Sequence, residues 1–149
     1  LAARLEPDSQ AAYTLSCVAL PTCGLAMAEA ERYTPRFLQR FNQLKARHGI
    51  TDTPITLRLS GCPNGCARPY IAEIALTGRA PGLYNLYLGG SFHGDRMAKL
   101  YASNLDETRI LQALDELFAR YAAARKPGEH FGDFLWRSRV LAANDSPVN

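Results

Sequence analysis

Gly61-Cys62-Pro63-Asn64-Gly65-Cys66-Ala67-Arg68 is the stretch that organises this chain, read together with Cys17-Val18-Ala19-Leu20-Pro21-Thr22-Cys23. The two segments hold all four cysteines, as one C-x5-C pair and one C-x3-C pair. Structural zinc usually draws on two tight C-x2-C knuckles, or on one knuckle plus histidines at helical spacing, because its ligands must converge on one small ion. Neither pair here is that tight. An iron–sulfur cube spreads its irons, so its thiolates can come from wider and unequal loops. Within Cys62–Cys66, Pro63 fixes one backbone angle, while Asn64 and Gly65 are residues that tolerate positive φ. Such a turn can set two sulfurs on one side and aim successive backbone N–H groups at an anionic cluster. The spacing favours a 4Fe-4S cluster on four Cys, with a zinc site and a pair of disulfides as the alternatives.

The same residues carry a family resemblance. Cys17 to Cys23, continuing through Gly24-Leu25-Ala26-Met27-Ala28-Glu29-Ala30-Glu31-Arg32, resembles the first cluster motif of the assimilatory sulfite reductase hemoproteins, and Leu59 to Tyr70 resembles the second. Ala80 to Gly90 and Phe131-Gly132-Asp133-Phe134 extend the likeness, which runs from about Tyr13 to about Val140. The resemblance implies that Cys17, Cys23, Cys62 and Cys66 hold a 4Fe-4S cluster and that Cys66 also ligates the iron of a siroheme. One thiolate shared between cluster and macrocycle would couple them electronically. The implied reaction is the six-electron reduction of sulfite to sulfide. The Arg and Lys set that binds sulfite in that family has no counterpart here, so the chain alone is expected to be inactive and to depend on an N-terminal remainder of the same polypeptide. With no G-x-G-x-x-G motif in the sequence, electrons must come from another protein, an NADPH flavoprotein subunit or a ferredoxin. A siroheme nitrite reductase domain and a non-enzymatic, zinc-stapled binding module are the competing readings.

Composition agrees with one ordinary domain: 149 residues, 47% apolar, with a mild net charge of +3. No nucleic-acid or membrane partner is expected from it. The basic residues are 14 Arg against 3 Lys, and Arg is the better fork for carboxylates such as those of siroheme. The absence of a signal peptide, of a membrane-spanning apolar run and of a starting Met predicts a cytoplasmic piece of a longer polypeptide, in a reducing compartment that disfavours disulfides.

Along the chain, residues 1–11 read as a linker or the remnant of a preceding domain, 12–141 as the iron–sulfur and siroheme domain, and 142–149 as a flexible tail. Ala12 to Leu20 reads as a first strand, and Gly24 to Arg32 as a run of helix formers. Thr34-Pro35 starts a helix with Thr as cap and Pro at its first position, and His48-Gly49 ends it. Strands are predicted over Ile55–Leu59, Tyr70–Thr77, Leu83–Leu88 and Lys99–Asn104, with a turn at Gly78–Gly82. Asp106 caps a helix whose stripe Ile110, Leu111, Leu114, Leu117, Phe118 and Tyr121 is core. Gly132 to Arg139 forms a short last helix. This order predicts an α/β fold (an α+β sandwich), a mixed sheet of about five strands flanked by helices, in the class of the nitrite/sulfite reductase 4Fe-4S domains it resembles.

Secondary site residues follow from position. Arg68, two residues past Cys66, is a candidate for macrocycle carboxylates. Asn64 and the Gly65 backbone are candidates for capping cluster sulfurs or a propionate, and Thr22 for a hydrogen bond to a sulfide. His48, His93 and His130 read as structural or surface residues, and Gly89-Gly90 as a strand end, with a close-approach loop as the alternative.

Overall fold

The computed structural model describes residues 10–141. The linker reading of residues 1–9 and the tail reading of 142–149 lie outside them. Gln10, at the start of a 3-10 turn over Gln10–Tyr13, is buried and donates from Nε2 to the carbonyl of Ile55 at 2.5 Å.

Five strands form one mixed sheet in sequential order: β1 (Thr14–Ser16), β2 (Leu57–Ser60), β3 (Ile74–Ala80), β4 (Leu83–Leu88) and β5 (Lys99–Leu105). β1, β2 and β3 run parallel, whereas β3–β4 and β4–β5 are antiparallel. The parallel step from β1 to β2 needs a crossover. Helix α1 (Thr34–Arg47) supplies it, and α2 (Glu107–Ala124) follows β5 and packs against α1. A short helix α3 (Phe131–Arg137) is the last element among the described residues.

Period-2 alternation decides the faces. Leu57 and Leu59 align with Ile74 and Leu76, and those with Leu88 and Leu86, so one face is a continuous apolar row. It meets Phe37 and Phe41 of α1 and Ile110, Leu114, Leu117, Phe118 and Tyr121 of α2, which form one buried core with it. Phe41 stands edge-on to Phe118 with ring centroids 5.5 Å apart, and Phe118 is likewise edge-on to Phe131 at 5.3 Å. The Asp106 cap is present: its Oδ1 accepts from the Arg109 N–H at 2.9 Å.

Five local expectations are corrected. The first strand spans Thr14–Ser16 rather than Ala12 to Leu20, because Gln10–Tyr13 is a 3-10 turn and the chain leaves the sheet at Cys17. Gly24 to Arg32 is turn and bend, not helix, because tertiary bonds claim its backbone: Met27 and Ala28 donate to the Gly61 carbonyl, and Ala19 bridges Glu29. Thr34 is the first residue of α1, not its cap; Tyr33 flanks the helix, and the Thr34 hydroxyl donates to the Ala30 carbonyl. β3 begins at Ile74 because Pro69–Ile71 is a 3-10 turn, and it continues to Ala80, which leaves only Pro81-Gly82 for the hairpin turn. Gly89-Gly90 is a close approach: a Cβ on Gly90 would collide with the Ala72 carbonyl, and one on Gly89 with the Leu141 side chain.

Two buried ionisable groups lock the layers. Lys45 donates from Nζ to Gln10 Oε1 at 2.9 Å and to the Thr53 carbonyl at 2.6 Å, and burial lowers its pKa to about 8. Glu73, fully buried just before β3, accepts from the N–H groups of Thr56 (3.0 Å) and Gly132 (2.7 Å), joining the entry to β2 to the first turn of α3. Desolvation outweighs these bonds and pushes its carboxyl up to about 7. Between about pH 4.5 and 7 the folded chain therefore keeps a proton at Glu73 that the unfolded chain releases. The stability contributed is fully present below about pH 4.5 and is lost as pH rises through 7, by about 3 kcal/mol. Urea unfolding of the chain at pH 5 and pH 7.5 is expected to show this fall, and Glu73→Gln is expected to flatten it. An equal slope in the variant would contradict the assignment.

Candidate functional site

The two cysteine segments begin where neighbouring parallel strands end. Ser16 pairs with Leu59, so β1 runs directly into Cys17 beside the point where β2 runs into Gly61-Cys62. Crevices outside the carboxyl ends of parallel strands are the usual ligand sites of open sheets. Cys17 donates its N–H to the Leu59 carbonyl at 3.0 Å, and the Gly61 N–H points at Cys17 Sγ at 3.2 Å. An N–H aimed at sulfur is one of the levers by which proteins tune cluster-ligating thiolates.

Gly61 is the node of the site. Its carbonyl accepts from Met27 (2.8 Å) and Ala28 (3.1 Å), which ties the loop carrying Cys23 to the backbone carrying Cys62. The Cys23 loop is itself a tight turn: Thr22 and Cys23 both donate to the Ala19 carbonyl, at 3.1 and 2.8 Å, with Ala19 at φ 54° and a cis Leu20–Pro21 peptide. Such closeness needs small residues. A Cβ on Gly61 would lie 2.5 Å from Ala19 Cβ and 2.7 Å from the Ala28 carbonyl oxygen. One on Gly78 of β3 would lie 2.7 Å from Ala28 Cβ and would collide with the Gly61 carbonyl.

The second loop returns across the sheet. Gly65 takes φ 70° and donates to the Cys62 carbonyl at 3.4 Å, Arg68 donates to the Gly65 carbonyl at 2.9 Å, and Ala67 donates to Ser60 Oγ at 3.3 Å. Tyr70 reaches back to donate its hydroxyl to the Pro63 carbonyl at 2.6 Å. Cys62 is buried, Cys17 and Cys23 are half-buried, Cys66 is exposed, and all four are free thiols. Asn64, Arg68 and Thr22 are exposed on these loops; Arg68 is itself left-handed at φ 54°. The disulfide alternative is not realised in this structure. Among the described residues, no group of three or more His, Cys, Asp and Glu is gathered to hold a single metal ion. The four free thiols sit on two loops joined at the Gly61 carbonyl.

The histidines stand apart from the cysteines. His48 Nε2 lies 2.7 Å from Asp115 Oδ1, and the bond holds that exposed carboxyl below the usual range. His130 stacks on Phe92 at 4.2 Å, and burial lowers its pKa. Sequence reasoning missed Ser60, Tyr70, Arg58 and the tight packing of Gly61 and Gly78. Of these, Arg58 carried a signal: its polar position between Leu57 and Leu59 places it opposite the core face.

Comparison with known proteins gives a consistent answer. The "Sulfite reductase [NADPH] hemoprotein beta-component" of Afipia carboxidovorans is 61% identical over 129 residues, covering 87% of this chain and 22% of that protein. The protein of that name from Nitrobacter winogradskyi is 63% identical over 125 residues, covering 84% and 22%. The one from Xanthomonas campestris pv. campestris is 57% identical over 150 residues, covering 99% of this chain and 26% of that protein. The chain is a homologue of the sulfite reductase hemoprotein beta-component. It spans about a quarter or less of the length of those relatives. The family resemblance stated from the motifs thus holds across most of the chain. No protein-family model matches it. Among solved structures, the Mycobacterium tuberculosis NirA protein superposes with a TM-score of 0.70 at 21% identity, covering 84% of this chain and 25% of that one. This likeness bears on the fold alone and agrees with the mixed five-stranded sheet expected from sequence.

Proposed function

We propose that this chain is the C-terminal, cluster- and siroheme-binding part of a cytoplasmic sulfite reductase hemoprotein that carries out the six-electron reduction of sulfite to sulfide. The observation that carries the reading is the joining of both cysteine segments at Gly61, at the shared end of β1 and β2. Cys17, Cys23, Cys62 and Cys66 would hold a 4Fe-4S cluster. Cys66, the exposed member, is the thiolate that would be shared with siroheme. When bound, these groups would supply electrons one at a time to sulfite, whose oxygens leave as water.

The chain's own residues bind and orient. Buried Cys62 and half-buried Cys17 and Cys23 would be ligands of the cluster, while the Gly61 N–H offers a hydrogen bond to the Cys17 sulfur. Asn64 and the Gly65 backbone would cap cluster sulfurs or a propionate, Thr22 would offer a hydrogen bond to a sulfide, and Arg68 would hold a macrocycle carboxylate. Electrons arrive from a partner protein, and relatives named as NADPH-linked favour a flavoprotein subunit over a ferredoxin. Sulfite-binding residues come from the N-terminal remainder of the polypeptide, so this chain alone is inactive.

The test is turnover by the intact hemoprotein that carries this chain, with a chemical reductant as the electron source. Sulfide from sulfite, abolished by Cys66→Ser, is the expected result. Ammonia from nitrite with no sulfide from sulfite would overturn the substrate assignment in favour of a nitrite reductase.

A further inference from the structure

We propose that Arg58 and Arg68 form a two-guanidinium seat for one carboxylate of the siroheme, on the face of the sheet opposite α1 and α2. The inference rests on the cofactor reading above and adds Arg58 to it.

The register places the seat. Leu15, Arg58, Ala75 and Tyr87 lie side by side across β1 to β4, one residue out of phase with the apolar row that meets the helices. Leu15 is 54% exposed, so the β1 end of this row is open. Ser60 projects to the same face, two residues beyond Arg58. The Ala67 N–H bonds its hydroxyl, so the chain leaving Cys66 folds back over this face with Arg68 next in line. Tyr70 then packs edge-on against Tyr87 at 5.1 Å, which fixes the return.

The chemistry of the pair is incomplete as it stands. Arg58 Nε is buried without a hydrogen-bond partner, and Nη1 has only a 3.5 Å contact to the Tyr13 carbonyl. Neither Arg58 nor Arg68 forms an ion pair among the described residues. The Arg68 charge acts on Arg58 in the same sense as burial, and both push its pKa below the usual value. Two neighbouring cations with an orphaned donor are unfavourable alone and favourable around an anion. A carboxylate fits best, because the planar guanidinium fork bonds both of its oxygens, and siroheme is a polycarboxylate that would lie beside Cys66.

The experiment uses the intact hemoprotein that carries this chain, as wild type, Arg58→Met and Arg58→Lys. Siroheme and its fully esterified, uncharged form are the probes, with iron content and thermal unfolding of the cofactor-free protein as controls. Arg58→Met is expected to weaken siroheme binding by about tenfold or more, Arg58→Lys less, with iron per chain unchanged. The esterified probe is expected to bind wild type and Arg58→Met alike. The cofactor-free Met variant is expected to unfold no earlier than wild type, since it removes an unpaired buried donor. Unchanged siroheme affinity in Arg58→Met, with iron and siroheme present in wild type, would overturn the seat and leave the cofactor reading standing. Equal losses with both probes, or loss of iron and stability, would mark Arg58 as structural and overturn the seat as well. A wild-type protein that takes up neither iron nor siroheme would overturn both.

Discussion

Gly78→Ala is expected to destabilise the chain by about 3 kcal/mol and to lower its capacity to hold iron, although Gly78 is no ligand. The added methyl would meet the Gly61 carbonyl, Gly61 C at 2.8 Å and Ala28 Cβ at 2.7 Å. Two of the three are backbone, so no side-chain rotation relieves the overlap, and either β3 or the Cys23 loop must move. Movement of Gly61 weakens the bonds from Met27 and Ala28 and displaces the N–H that faces Cys17 Sγ. Urea unfolding reads the stability, and iron per chain after anaerobic loading reads the site. Gly24→Ala is the control, since a Cβ there meets nothing within 4 Å, and it should leave both unchanged. Gly78→Ala indistinguishable from that control would mean that the Gly61–Gly78 contact does not set the site.

A similar loss, about 3–5 kcal/mol, is expected for Phe41→Ala. Phe41 is fully buried, lies 6.0 Å from Phe37 and stands edge-on to Phe118 of α2, so it joins the crossover helix to the second helix. Removing the ring leaves a cavity between two helices and one sheet face that the surroundings fill only in part. Against a domain stability on the order of 5–15 kcal/mol this is a large fraction. The denaturation midpoint should fall at nearly constant m-value, because the folded topology is unchanged. A loss under about 1 kcal/mol would show that the core repacks more freely than its geometry implies.

The sequence was most informative where local and tertiary demands agree. Alternation at Ile55, Leu57 and Leu59 marked a strand, and the stripe from Ile110 to Tyr121 marked α2, because one face of each element had to be apolar to be buried. The cysteine spacing likewise pointed to the two loops that the fold joins at Gly61. Reading failed where a residue's type served a distant contact. Ala26, Ala28 and Ala30 look like helix formers, but Ala28 and Ala30 are fully buried and Ala28 packs against the positions that Gly61 and Gly78 keep open. Small size, rather than helix propensity, is what that segment needed. Gly90 looked like the end of a strand for the same reason; its lack of a side chain matters only because the Ala72 carbonyl lies against it. Glu73 gave no signal, since its partners at Thr56 and Gly132 are 17 and 59 residues away. The row shared by Arg58 and Tyr87 depends on strand order, which local pattern does not encode.

The central claim is that four thiols on two joined loops hold one iron–sulfur cluster, and it is tested most directly by anaerobic loading of the chain with iron and sulfide. Wild type is compared with Cys62→Ser by iron count, acid-labile sulfide and EPR after reduction. The expected result is about four irons per wild-type chain with a reducible cluster signal, lost in the variant. No iron uptake, with tight binding of one zinc instead, would contradict it.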